Sequence, residues 1–216
     1  MARKGMTYKE TGVNYDEMDP FKVAATKAAM QTSVNIERFG FKEMPESRGE
    51  SAYVIKMPWG SPFAYLAHVE EGLGTKNKVA EKMIQVVEAI AKGISDYHYL
   101  FSHVAQCTVG AIVNDIIAVG ALPLSVEMHL AVGASTWFKD EEKCQALIRG
   151  WADACNLARC AWGGGETPTL KGIVNPESAV LSGSAMGFIG SNCPYLNGST
   201  IRSGAAFVLV YSSGIH

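Results

Sequence analysis

The chain is 216 residues long, with 48% hydrophobic and 19% charged residues and a formal net charge of −2 at pH 7. That length suits one sizeable domain, or one domain with an N-terminal arm, and the apolar share supplies an ample core. A near-neutral charge with no basic run argues against a nucleic-acid scaffold; with no membrane-length run and no signal-peptide core found, the cytoplasm is the expected compartment.

Residues 1–18 read as an extended arm. Asp19-Pro20 offers a capping carboxylate and a first-turn proline, so a helix is expected from there to Phe39. Phe21, Ala24, Ala25, Ala28 and Ala29 form its stripe, and Gly40 is its expected stop. The polar, breaker-rich stretch 42–50 reads as a loop. Strands are expected over 52–57 and 63–69, joined by the Pro58-Trp59-Gly60 turn. Helices are expected from Val79 to Lys92, closed by Gly93, and from Tyr97 to Gly120. A strand is expected over 123–132 and an amphipathic helix over 140–159, where Ala146, Leu147, Trp151, Ala154 and Leu157 recur at helical spacing. Strands near 178–189 and 205–211 complete an alternating α/β pattern.

The five cysteines, Cys107, Cys144, Cys155, Cys160 and Cys193, contain no C-x-x-C, so reduced buried thiols are expected, not a zinc or redox pair. His68 and His129 fall in strands and are expected to be satisfied core or sheet-face residues. Trp137, Trp151 and Trp162 are expected in the core or an interface.

Two glycine-rich segments carry the chemistry: Glu71-Gly72-Leu73-Gly74-Thr75-Lys76 and Trp162-Gly163-Gly164-Gly165-Glu166-Thr167. Glycines bring backbone N–H groups close to an anion, and a nearby carboxylate suits a magnesium ion bridging phosphates. Both segments are expected to be loops. Between them, Asn114-Asp115 interrupts an apolar helix made of Val109, Ile112, Val113, Ile116 and Ile117. Burial there would require the Asp115 charge to be paired or metal-bound. Together these residues point to a nucleotide-phosphate and Mg²⁺ site.

The same residues carry a family resemblance. Tyr8-Lys9-Glu10-Thr11-Gly12-Val13-Asn14 resembles Y-K-x-x-G-V-[DN], and Glu71–Lys76 resembles D-G-V-G-T-K. Val113-Asn114-Asp115-Ile116 with Gly120-Ala121-Leu122-Pro123-Leu124 resembles V-N-D-[IL] followed by G-A-x-P-L. Gly164-Gly165-Glu166-Thr167 resembles G-G-E-T, and Ser212-Ser213-Gly214-Ile215-His216 resembles S-S-G-[IPL]-H. In this order, these motifs resemble the N-terminal domain of the aminoimidazole ribonucleotide (AIR) synthetase family, the phosphoribosylformylglycinamidine cyclo-ligases. The Y-K-x-x-G-V segment favours that family over relatives that share its ATP-binding architecture.

The resemblance implies a mixed, four-stranded, ferredoxin-like half-barrel sheet with helices on one face over 19–216. It also implies a homodimer formed through the sheet. Its ligands would be ATP, Mg²⁺ and a small nucleotide substrate, with no nucleic acid and no membrane. Residue by residue, Glu71 and Asp115 would hold the metal, and Lys76 and Glu166 would be catalytic. Glu71, Gly72, Gly74, Thr75, Lys76, Asn114, Gly164, Gly165 and Thr167 would bind nucleotide and phosphate. The family continues past the S-S-G-x-H motif into a second domain that this sequence does not contain.

Four positions depart from the family pattern. Glu71 and Cys107 stand where the family has aspartate, and Val180 replaces a third aspartate. Pro168-Thr169-Leu170-Lys171 replaces A-E-M-P and so loses a glutamate. A thiol is a poor ligand for Mg²⁺. Three functions therefore stand open: a cyclo-ligase half, a related phosphotransfer enzyme, and a non-catalytic binding or dimerisation module.

Overall fold

The computed structural model describes residues 10, 12–60, 62–90, 99–199 and 201–211. Lys92, Gly93, Tyr97, the Tyr8, Lys9 and Thr11 positions of the N-terminal motif and the 212–216 motif lie outside those residues. The elements in order are α1 (Tyr15–Met30), β1 (Lys42–Glu43), β2 (Tyr53–Lys56), β3 (Tyr65–Leu73), α2 (Thr75–Ile90) and α3 (Tyr99–Ala118). They continue with β4 (Leu122–Val132), α4 (Glu141–Ala158), β5 (Ala161–Glu166) and β6 (Ala179–Ile189). The six strands form one mixed sheet in the order β1-β2-β3-β6-β4-β5, not the four expected. All pairs are antiparallel except β4 with β5. The alternation that revealed β2, β3, β4 and β6 is absent from two-residue β1 and from glycine-rich β5.

Strand β6 is the spine, bonded along its length to β3 on one side and β4 on the other. Its odd-numbered residues are buried, and its even-numbered ones are exposed or half-exposed. The buried face receives α3. A Cβ placed on Gly183 would lie 3.0 Å from Ile112 Cδ1, and one on Gly187 would lie 2.6 Å from Ile116 Cγ2. Helix α4 crosses α3 equally closely, because a Cβ on Gly150 would stand 2.3 Å from the Ser102 carbonyl oxygen. Trp151, in the next position, is fully buried. Helix α3 is long and apolar enough to cross a membrane by length and composition alone. In this fold it is the core helix, with Phe101, Val104, Ala105, Val109, Ile112 and Ile116 buried.

Helix α4 matches its sequence signals closely. Asp140 accepts a hydrogen bond from the Lys143 N–H at 3.0 Å as N-cap, and Arg159 closes the other end in the left-handed region, φ 56°. Helix α1 departs from expectation at both ends. It begins at Tyr15, so 15–18 are its first turn and not an arm, and Pro20 lies inside it. It stops at Met30 because Thr32 and Ser33 turn their hydroxyls back onto the Ala29 and Met30 carbonyls, at 2.7 and 2.9 Å. The chain continues as a 3₁₀ segment, Ser33–Phe39, which Gly40 ends at φ 79°.

The expected 42–50 loop contains β1 and a short 3₁₀ turn, Pro45–Ser47. Arg48 holds this corner together by pairing with Glu43 through two nitrogens and donating to the Ala29 carbonyl at 3.2 Å. The guanidinium keeps the Glu43 carboxyl below its ordinary range. No strand forms over 205–211. The segment has no ladder partner among the described residues, and Phe207 is 99% exposed.

The α3–α4 contact yields a direct test. Gly150→Ala should destabilise the fold by about 1–3 kcal/mol through overpacking. Urea denaturation reads this as a lower midpoint, whereas an unchanged midpoint would mean that the helices do not approach so closely.

Candidate functional site

The two glycine-rich segments are not loops. Glu71, Gly72 and Leu73 end β3, Gly74 makes the break, and Thr75 and Lys76 open α2. Residues 162–166 lie in β5, an edge strand paired only with β4. At Gly165 the neighbouring backbone leaves no room for a side chain, and at Gly163 one would have to displace the end of the Glu127 side chain. A Cβ on Gly165 would stand 1.9 Å from the Met128 carbonyl oxygen, and one on Gly163 would stand 2.5 Å from Glu127 Oε1. Gly163 is also the extra residue of a bulge, since Val126 pairs with Trp162 but Glu127 pairs with Gly164.

Sheet register brings the two segments to one end of the molecule. Glu71, Gly183, Met128 and Gly165 form one row across β3, β6, β4 and β5, and Gly72, Ser182, His129 and Glu166 form the next. Residues in one row point to the same face, so Glu71 faces the helices while Gly72, Ser182 and His129 face the uncovered side. His129 Nδ1 lies 3.0 Å from the Ser182 hydroxyl, which makes it a satisfied sheet-face histidine. His68 and Glu70 extend the same face from β3 and are exposed. Trp137 and Trp151 are buried and Trp162 half-buried against the core.

The first turn of α2 opens beside this end of the sheet. Its N–H groups have no intrahelical acceptors, and Lys76 adds a half-exposed positive charge to the helix dipole. Asn77 follows. It is 2% exposed, donates its amide to the Ala179 carbonyl at 3.0 Å and leaves its Oδ1 without a partner. Glu81, one turn further on, grips the start of β6. One carboxylate oxygen accepts from the Ala179 N–H at 3.1 Å and the other from the Ser178 hydroxyl at 2.8 Å. Lys78 donates to that same hydroxyl at 3.0 Å. Sequence reading did not single out Asn77 or Glu81. Asn77 falls at a position taken to precede the helix, whereas Glu81 falls inside the expected helix, where a glutamate reads as a solvent-facing residue.

Asn114 and Asp115 sit elsewhere. They lie on α3, Asn114 exposed and Asp115 half-buried, so the expected burial of the pair does not occur. Asp115 adjoins Ile116, which seats on Gly187, whereas Glu71 is level with Gly183. The two carboxylates therefore occupy different levels of the sheet. Gly164, Gly165, Glu166 and Thr167 are exposed, as are Gly72, Gly74 and Thr75.

Mg²⁺ is the ion that the resemblance implies. Among the described residues, no group of three His, Cys, Asp or Glu side chains could hold a metal. Carboxylate and amide oxygens are nevertheless the right donors for this ion. It commonly takes one or two carboxylates and completes its shell with water and phosphate oxygens. The donor set therefore fits an ion brought in with a phosphate, not one caged by the protein.

The AIR synthase related protein, N-terminal domain family matches residues 94–189. Over 98% of its length the chain is 32% identical to the phosphoribosylformylglycinamidine cyclo-ligase of Sorangium cellulosum, covering 53% of that protein. It is 28% identical to the cyclo-ligase of Carboxydothermus hydrogenoformans over 98% of this chain and 54% of that one. The trifunctional purine biosynthetic protein adenosine-3 of Gallus gallus aligns at 30% identity over 99% of this chain and 19% of its own. The chain thus spans about half the length of the curated cyclo-ligases it matches. The solved structure of AaThiL complexed with AMPPCP and TMP superposes with a TM-score of 0.44 at 17% identity, over 65% of this chain and 36% of that one.

The Glu81 grip joins α2 to the sheet at this end. Glu81→Ala should lower stability by about 1–3 kcal/mol and speed hydrogen exchange at the Ala179 amide. Unchanged Ala179 protection would remove Glu81 as the tether.

Proposed function

We propose, on the premise that this chain carries the N-terminal domain of the AIR synthase related family, that it forms the nucleotide-binding half of an ATP- and Mg²⁺-dependent cyclo-ligase of purine biosynthesis. The observation that carries this reading is the shared sheet end, where the α2 N-terminus and Lys76 stand beside the rows that contain Gly164, Gly165 and Glu166. In the proposed reaction, the amide oxygen of formylglycinamidine ribonucleotide is phosphorylated. The amidine nitrogen then displaces phosphate, closing the ring of aminoimidazole ribonucleotide. That chemistry asks the protein chiefly for positioning and charge neutralisation.

The chain's own residues suit these tasks. Thr75, Lys76 and Asn77 would offer first-turn N–H groups to phosphate oxygens, and the Lys76 ammonium would offset their charge. Gly72, Gly74, Gly164 and Gly165 would let phosphate approach the backbone, with Asn114 and Thr167 as further polar contacts. Glu166, exposed at the end of β5, would orient the reacting nucleotide. Glu71 and Asp115, at different levels of the sheet, would each be a carboxylate available to Mg²⁺ and not a pair closing on one ion; the ion when bound neutralises phosphate charge. The uncovered sheet face would pair with a second copy of the chain.

A second reading rests on Cys107, Thr169 and Val180, which stand where the resembled family carries acidic residues. In it, the chain keeps the fold and its dimer face as a non-catalytic binding module.

Calorimetric titration of a non-hydrolysable ATP analogue, with Mg²⁺ and then with EDTA, separates the two. Magnesium-dependent binding is expected, and no binding in either condition would leave only the module. Asp115→Asn should weaken binding with Mg²⁺ present by about tenfold or more if that side chain holds the ion. Lys76→Ala should lose more affinity at low salt than at high salt, because its contact is electrostatic. An equal loss at every salt concentration would indicate a folding defect.

A further inference from the structure

The absence of C-x-x-C suggested no redox pair, yet the fold brings two thiols together. Cys155 is in the last turn of α4 and Cys160 immediately precedes β5, on either side of the left-handed Arg159. The Cys160 N–H donates to the Cys155 carbonyl at 3.0 Å. Standard backbone lengths on each side of that bond cap the Cα–Cα separation at about 7 Å. Disulfides span roughly 4.4–6.8 Å between Cα atoms. The Cys160 side chain turns back toward Cys155 as well, since its thiol lies 3.7 Å from the Cys155 carbonyl oxygen. Cys155 is buried and Cys160 half-exposed, so only one of the two can be reached first from solvent. The other three cysteines differ: Cys107 and Cys193 are exposed, contrary to expectation, and Cys144 points its thiol at the Phe138 carbonyl.

We propose that Cys155 and Cys160 are a redox modification site that a small-molecule disulfide such as oxidised glutathione converts to an intramolecular disulfide. The Cys160 thiolate attacks one sulfur of the oxidant, forming a mixed disulfide and releasing one reduced thiol. The Cys155 thiolate then attacks the Cys160 sulfur, closing the protein disulfide and releasing the second thiol. Two protein thiols are oxidised and one external disulfide is reduced, so the electrons balance. Burial raises both thiol pKa values, Cys155 to about 12, and the nearby Glu127 carboxylate on β4 pushes each in the same direction. Formation is consequently slow at neutral pH and quickens as pH rises toward 9. The closed bridge would pin the Arg159 turn and the entry to β5. The proposal does not depend on the nucleotide reading.

Peptide mapping tests it cleanly, because trypsin cuts after Arg149, Arg159 and Lys171. The folded chain is incubated with oxidised glutathione, its remaining thiols are alkylated under denaturing conditions, and it is digested. The expected product is residues 150–159 linked to residues 160–171, separating when reduced. Cys155→Ser should instead retain glutathione on Cys160, since the resolving thiol is gone. Finding glutathione stable on Cys160 of the unsubstituted chain, or finding both cysteines alkylated after oxidation, would overturn the proposal.

Discussion

Everything in this molecule is arranged around the missing side chains of β6. Gly183 and Gly187 let α3 press Ile112 and Ile116 into the sheet, and Gly150 lets α4 lie directly on α3. These glycines are used for close approach more than for unusual dihedrals, since none of the three has a positive φ. Because α3 sits so low, Trp151 can reach Gly183 and fill the space between the helices and the strand. The helix layer thereby fixes β6, and β6 in turn sets the registers of β3 and β4. The β4 register then places β5. A change in how α3 seats would propagate through the rows that bring Gly72 and Glu166 into line.

Much of this was legible in the sequence where one signal acted alone. Helix α4 has an acidic cap, an apolar stripe and no competing breaker, and its ends fall within a residue of those expected. Strands β4 and β6 alternate plainly. The misreadings occurred where two tendencies competed. Thr32 and Ser33 can continue a helix or bond back to it, and here they end it. A run of three glycines suggests a loop by conformational entropy. Yet Gly165 is required in a strand, because the β4 backbone occupies the space that a side chain would need. Such an approach depends on a strand more than thirty residues away, which no local pattern records.

The candidate site shows the same division. Composition marked both glycine-rich segments, and the motif order pointed to the family that the comparisons support. What composition could not supply was the row alignment, or that Asp115 adjoins the residue seated on Gly187 whereas Glu71 is level with Gly183. Asn77 went unnoticed because an asparagine near a helix start ordinarily reads as a cap. Here it lies inside the first turn with a buried, unpaired oxygen. An orphan acceptor of this kind is costly in a purely structural role, by about 1–3 kcal/mol. Its position beside the proposed phosphate site gives that cost a functional context.

The uncovered sheet face constrains the proposed pairing of two copies. Leu66 and Phe188 share one row at its far end, while Glu70, Ser184 and Glu127 share a row nearer the candidate site. Pressing the whole face against a partner would strip water from Glu70, Glu127 and His68, a desolvation cost that the partner would have to offset. Burying unpaired carboxylates costs more than the neighbouring apolar area returns. A contact centred on Leu66, Met186 and Phe188 avoids that penalty and keeps the polar rows facing a hydrated space. The chemistry of the face therefore favours a pairing that encloses a cavity over one that lies flat. It also leaves Ser182, His129 and Glu166 accessible on the uncovered face.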